Sequence, residues 1–286
     1  MRPALVQWAI GHGLPGWLIP TYFILVGLST LAAFAIALHL VRRDGADQAV
    51  QSHALMVTYV AALAGGYVLE SLRMLPLAVA TGSLTPVLQA GRSAYGGLLF
   101  GCCGAMLFLH VHRQPIGAFM DRAAIGAGIV FCCVRTGCFL AGCDYGQPTA
   151  APWGLRFPSG SLAALDHAQR GWVPPGFPSL PVHPTQLYEA LLGIAGAVAA
   201  GLVLRQRRRD GGALLAFLTV YGVGRFAIEL LRGDSTRGLY LGLSTAQYIS
   251  CAILLTCGVL AWRLRSARAA SAPVAARPAH AGAASA

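Results

Sequence analysis

The chain has 286 residues, 21 basic and 10 acidic, so charged residues are 11% of the total; hydrophobic residues make up 56% and the mean hydropathy is +0.62. A soluble domain carries about 25% charged residues, so a water-soluble globule is excluded, as are disorder and collagen-like structure over most of the length. What remains is an all-α integral membrane protein with several spans.

All 21 basic residues are Arg. The formal charge of +11 suggests nucleic acid at first sight. The Arg residues are instead spread along apolar segments and gathered in short loops, a membrane-topology pattern, and no nucleic-acid partner is expected. The three Glu residues, Glu70, Glu189 and Glu229, all lie in or near apolar segments.

In chain order, the N-terminus has no signal-peptide cleavage pattern. Seven apolar runs of roughly 20 residues, enough to cross a hydrocarbon core of about 30 Å, predict spans near 20–41, 53–73, 93–111, 116–134, 185–204, 212–232 and 244–263. Residues 135–183, rich in Pro and Gly and carrying Trp153 and Trp172, read as a loop or small cap on the bilayer surface. Residues 1–265 form the membrane domain in this reading. The Ala-, Pro- and Ser-rich tail 266–286 reads as disordered. The loops after spans one, three, five and seven hold Arg42 and Arg43; Arg113 and Arg122; Arg205 and Arg207 to Arg209; and Arg263, Arg265, Arg268 and Arg277. The positive-inside rule then puts the N-terminus outside and the C-terminus in the cytoplasm.

Charge at membrane depth is expensive, so its few instances mark candidate sites. In GVGRFAIELLRGD (222–234), Arg225 and Glu229 stand four apart on one helix face, and Arg232 extends that face by seven. They read either as a structural ion pair or as an anion site, because a guanidinium fork matches phosphate oxygens. VRTGCFLAGCDYGQPT (134–149) places Arg135 at a span end, with Gly137, Gly142 and Gly146 for tight turns or close approach to a ligand. HPTQLYEAL (183–191) opens a span with Pro184 in its first turn. It brings His183, Gln186, Tyr188 and Glu189 together; His183 is either a cap or a general base. Of eight cysteines, Cys138 and Cys143 are separated by four residues, unlike the usual zinc pattern. A disulfide, a metal ligand pair and reduced structural thiols all remain open for them.

Taken together, these motifs resemble bacterial prolipoprotein diacylglyceryl transferases over roughly residues 18–263. HPTQLYEAL is close to the family's own string, and RFAIELLRGD resembles its Arg-Phe-x-x-Glu-x-x-Arg segment. RTGCFLAGCDYG aligns with its signature loop Gly-Arg-x-Gly-Asn-Phe-x-Asn-x-Glu-x-x-Gly. SAYGGLLFG (93–101) resembles its His-Gly-Gly-Leu segment, and LSTAQYIS (243–250) its Ser-x-x-Gln segment.

The resemblance implies a multi-pass protein of the bacterial inner membrane. It implies transfer of the diacylglyceryl group of phosphatidylglycerol to the lipobox cysteine thiol of a preprolipoprotein signal peptide, with glycerol-1-phosphate released. It implies no metal or diffusible cofactor. On this basis His183, Tyr95, Arg225 and Glu229 are expected to be catalytic, and Arg135, Gly137, Gly146, Arg232, Tyr22 and Gln186 to bind phosphatidylglycerol. The chain departs from the pattern at Tyr95, which stands for the family's His. It departs again at Cys138, Ala141 and Cys143, which stand for Asn, Asn and Glu, although Asp144 is adjacent. Those departures keep two alternatives open: a relative acting on another lipid or acceptor, and a transporter or lipid-binding protein.

Overall fold

A computed structural model describes residues 21–89, 93–206, 210–234 and 239–271, with the side chains of 21–23, 94–95, 239–240 and 264–271 outside that description. The side chains of Tyr22 and Tyr95, and tail residues 272–286, therefore lie outside the described residues.

The elements are α1 (Thr21–Arg43), α2 (Gln48–Thr81), the short α3 (Thr85–Leu88), α4 (Ala94–Val111), α5 (Ile116–Ala141), α6 (Leu162–Gln169), α7 (Thr185–Arg205), α8 (Gly212–Glu229), a two-strand hairpin β1 (Leu239–Tyr240) and β2 (Leu243–Ser244), and α9 (Thr245–Ser271). Among the described residues, six helices are long and apolar enough to cross a membrane, and α4 is a seventh, shorter apolar helix. The seven coincide with the seven expected spans, and the chain is an all-α multi-pass membrane protein. Large apolar side chains such as Leu28, Leu63, Leu191, Leu255 and Trp262 are exposed along them, as lipid-facing positions require.

Small residues set the packing. α5 lies at the centre against α1, α7 and α8; α2 pairs with α4, and α9 with α8. A Cβ on Gly128 of α5 would stand 2.4 Å from the Gly193 carbonyl oxygen of α7, so these two backbones meet directly. Such close approach is how helices associate where lipid leaves no hydrophobic drive. The glycines of SAYGGLLFG do the same work: Gly96 packs on the Gly65 carbonyl of α2.

The ends of the spans differ from the hydropathy reading for local reasons. α5 continues past 134 to Ala141, where Gly142 (φ 77°) closes the helix in left-handed geometry. The cap therefore starts at 142, and Arg135 lies within the helix. α8 stops at Glu229, so Arg232 is outside it. α2 spans 34 residues, about 51 Å at 1.5 Å per residue, longer than the hydrocarbon core. Its far stretch carries Glu70, paired with Arg73 at 2.7 Å. The Ser-x-x-Gln segment is a capping box: Ser244 Oγ accepts from the Gln247 backbone N–H (3.2 Å) and Gln247 Oε1 from that of Ser244 (2.9 Å).

The cap, residues 142–184, has its own small core of Tyr145, Phe157, Ala163 and Val182, with Phe139 of α5 against it. Tyr145 donates its hydroxyl proton to Asp166. Asp166 pairs with Arg170 (2.9 Å), which stacks on Trp172 and donates to the Gly233 carbonyl (3.1 Å).

Candidate active site

The cap does more than cover the bundle; it knits three distant segments together. The Gly146 N–H donates to the His183 carbonyl (3.0 Å), the Gln147 N–H to Leu231 (2.7 Å), the His183 N–H to Gln147 (3.0 Å) and the Gly233 N–H to Tyr145 (3.1 Å). These bonds close Gly146 against Arg232 as a short bridge. A Cβ on Gly146 would stand 2.5 Å from the His183 carbonyl oxygen and 2.9 Å from that of Leu231, so only glycine fits. Arg232 thus reaches the site from an extended segment fastened by the cap. The expectation that it continues the Arg225 face fails because the helix has already ended.

Three guanidiniums converge here from α5, α8 and that segment. Arg135 Nε lies 2.5 Å from Glu189 Oε2, and its Nη1 3.1 Å from Asp144 Oδ2. Arg225 Nη1 lies 2.5 Å from Glu229 and 3.3 Å from Glu189. Arg232 pairs with Asp144 (2.7 Å), Asp234 (2.7 Å) and Glu189 (3.7 Å). Glu189, 1% exposed, is shared by all three. Among the described residues its oxygens have ion-pair contacts with the guanidiniums and no hydrogen bond of good angular geometry.

Around that centre the neighbours are positioned by the backbone. Thr185 donates to the Asp144 carbonyl (2.7 Å) and Gln186 Nε2 to the Cys143 carbonyl (2.6 Å), which fixes the turn after α5 onto the start of α7. Asp144 itself has φ 57°, unusual for a non-glycine residue. Burial would raise its carboxyl, but Arg232 and Arg135 more than offset this and hold it below the ordinary carboxylate range. Burial likewise opposes the charge on Arg232, yet Asp234 and Asp144 raise it further, so both partners stay ionised.

Of the expected site residues, Arg135, Arg225, Glu229 and Arg232 form one cluster. Gly137 is buried within α5, Gly146 serves the bridge, and Gln186 is fully buried beneath the Cys143 carbonyl. His183 is half-buried beside it, its Nδ1 3.2 Å from the Tyr188 hydroxyl, which also accepts from Trp153 Nε1 (2.8 Å). Sequence reasoning singled out Glu189 and noted Asp144 without giving either an ion-pair role, and it left out Asp234, which could have been found from the Arg-Gly-Asp spacing. The pairing of Asp144 with Arg232, 88 residues away, carries no local signal. All eight cysteines are free thiols.

A cluster of three arginines and four carboxylates under a cap, at one end of a seven-helix bundle, marks a polytopic membrane protein with a buried ion-pair network. The profile of the prolipoprotein diacylglyceryl transferase family matches residues 12–263, and the chain belongs to that family. The phosphatidylglycerol–prolipoprotein diacylglyceryl transferase of Clostridium tetani is 26% identical over 250 residues, 87% of this chain and 92% of that protein. Transferase 2 of Clostridium perfringens is 27% identical over the same shares. Transferase 2 of Streptomyces coelicolor is 32% identical over 174 residues, 59% of this chain and 50% of that one.

Proposed function

We propose that this chain transfers the diacylglyceryl group of phosphatidylglycerol to a prolipoprotein cysteine, the first step of lipoprotein maturation. The acceptor is the lipobox cysteine of a signal peptide held in the bilayer. The sulfur lone pair attacks the glycerol carbon that bears the phosphate ester. The C–S bond forms as that C–O bond breaks, its electron pair leaving on glycerol phosphate, and the thiol proton goes to the solvent side.

One observation carries this reading: Arg135 and Arg232, from elements far apart in sequence, grip the single carboxylate of Asp144 at 3.1 and 2.7 Å. Asp144 occupies the place of a phosphodiester oxygen pair. Its side chain is 29% exposed, against 1% for Glu189, so it is the carboxylate free to give way. Arg135 and Arg232 then take the phosphodiester, with Arg225 adding charge as the leaving group develops. Glu229 and Glu189 orient the guanidiniums. Gly146 and Gln186 act by shaping the turn, Gly137 lies buried within α5, and His183, with Tyr188, carries the proton away. The family resemblance assigns Tyr22 to phosphatidylglycerol binding and Tyr95 to catalysis. The cap faces the periplasm, the Arg-rich ends face the cytoplasm, and the membrane is the bacterial inner membrane.

The test is complementation. The chain should restore lipoprotein maturation in cells depleted of their own transferase, and Arg135→Ala or Arg225→Ala should abolish it. Rescue that survives both substitutions removes the phosphate assignment. Purified protein given labelled phosphatidylglycerol and a lipobox peptide should release glycerol phosphate.

A further inference from the structure

At the end of the bundle away from the cap, the α1–α2 turn, the start of α5 and the α7–α8 turn surround a cavity of about 350 Å³. Ligand pockets run from about 300 to 1,000 Å³. The transfer chemistry proposed above uses none of its walls. The helices end here, with Arg43 in the last turn of α1 and Arg205 in the last turn of α7, which places the cavity at a membrane edge.

The walls carry both signs of charge. Arg43 Nε donates to Asp44 Oδ1 (2.9 Å), and Arg122 Nη1 lies 3.5 Å from Asp44 Oδ2, so one carboxylate answers two guanidiniums. Arg122 Nη2 donates to Gln51 Oε1 (3.0 Å). Gln51 and Arg122 are 1% and 5% exposed, and among the described residues Gln51 Nε2 and Arg122 Nε have no hydrogen-bond partner. A buried donor left without an acceptor is costly, so both need an acceptor from outside the chain. Asp121 and Asp210 bring negative charge to the same cavity, from α5 and from the α7–α8 turn. Asp121 commits its oxygens to the Gly211 and Leu214 N–H groups, whereas Asp210 is exposed.

Charge balance selects the ligand. Two arginines against three aspartates leave the lining negative by one. A phosphate alone would deepen that excess, and an ammonium alone would leave the Gln51 and Arg122 donors unmet. A zwitterion meets both demands: its phosphate oxygens accept from Gln51 and Arg122 beside Arg43, and its ammonium turns to Asp210. Val203 and Leu204 complete the wall, and Leu202 next to them is exposed on the apolar surface of α7. An acyl chain therefore has a path from the cavity into the bilayer. Basic pockets between spans at a membrane face suit lipid headgroups.

We propose that this cavity holds the headgroup of an aminophospholipid, a phosphate with a primary ammonium close by. The lipid is a structural ligand that joins the α1–α2 turn, the start of α5 and the α7–α8 turn. It binds the folded chain and stabilises it by mass action. The site stands at the far end of α5 and α7 from the cap cluster and does not depend on the transfer reading.

The experiment uses the full chain, purified in detergent and stripped of lipid. Added phosphatidylethanolamine should raise the melting temperature by about 2 °C or more at saturation. A phosphatidylethanolamine with a diazirine near the glycerol end of an acyl chain should label residues 43–51, 114–122 or 203–213. Unlabelled phosphatidylethanolamine should displace it at lower concentration than phosphatidylglycerol, and soluble phosphoethanolamine should not displace it at all in that range. Asp210→Asn, at an exposed turn, should weaken phosphatidylethanolamine about tenfold and tip the preference toward phosphatidylglycerol, with transfer per folded molecule near wild type. Gln51→Leu, which removes a buried donor and keeps the bulk, should weaken both lipids at this site; if that variant does not fold, Asp210→Asn decides alone. No saturable labelling of these segments overturns the proposal. So does displacement by phosphatidylglycerol ahead of phosphatidylethanolamine in the wild type, or an unchanged preference in Asp210→Asn. Soluble phosphoethanolamine displacing the probe as well as the lipid does overturns it too, in favour of a site for a free zwitterion.

Discussion

Two buried polar clusters sit at opposite ends of the bundle and use the same residue types to different ends. At the Arg-rich end, Asp121 of α5 is 2% exposed and accepts from the Gly211 and Leu214 backbone N–H groups, both at 2.8 Å. It caps α8 from a neighbouring helix. Arg122 beside it donates to Gln51 of α2 (3.0 Å) and pairs with Asp44 (3.5 Å). Each contact there ties one helix to another, and a cavity of about 350 Å³ lies next to them. At the cap end, Glu189 is equally buried, and three guanidiniums share it by ion pairing with no hydrogen bond of good angular geometry among the described residues. A carboxylate bonded to two backbone N–H groups has one arrangement, whereas one shared among three guanidiniums has several pairings open to it. On the proposed function the first cluster serves the fold and the second the reaction.

The comparison can be broken by substitution. Arg232→Ala should lower transfer by about 10²–10³-fold, the usual loss for a donor to developing charge, with little change in melting temperature; a large thermal loss with activity per folded molecule intact would reverse the assignment. Gly146→Ala forces a methyl onto the His183 carbonyl and should reduce turnover by about tenfold or more, because overpacking of about 1–3 kcal/mol displaces the segment carrying Arg232. Asp121→Asn should do the opposite of Arg232→Ala. It should destabilise the fold by about 1–3 kcal/mol, read as a lower melting temperature, and leave the transfer rate per folded molecule near wild type.

Smaller effects lie at the edges. Ser244→Ala removes half of the capping box and should destabilise by about 1 kcal/mol, with no change in activity at fixed folded fraction. His167 in α6 is fully buried, with Nδ1 accepting from the Leu180 N–H and Tyr145, Asp166, Arg170 and Trp172 around it. Burial lowers its pKa below 6.5; Arg170 acts the same way and Asp166 opposes them. A depressed folded value means that the unfolded cap binds the proton more readily. Stability is then full above about 6.5, the unfolded value, and declines as pH falls through the lower folded one. Limited proteolysis of the cap should accelerate in mild acid, and His167→Phe should remove that acceleration.

Hydropathy made the seven spans legible, since length and apolar content are local properties. Their ends were not, because a helix stops at a cap such as Gly142 or at tertiary bonds such as those on Leu231, and neither alters hydropathy. The arginines of the site could be seen because charge is scarce in this chain. Two of the pairings could not, since Asp144 meets Arg232 and Glu189 meets Arg135 across long stretches of sequence; Asp234 stands two residues from Arg232 and was open to discovery. Glu70, unexplained from the sequence, has Arg73 one turn along α2.

The carboxylate of Asp144 on Arg135 and Arg232 is a competitor tethered inside the molecule. A tethered ligand acts at an effective concentration on the order of millimolar or higher, so a visiting anion must outbid it with more than its charge. Inorganic phosphate in the aqueous phase brings charge only. A phospholipid brings the same charge with two acyl chains already confined to the bilayer beside the site. On the proposed function the ion pair at rest would act as a filter, favouring phosphate that arrives through the membrane over phosphate that arrives from water.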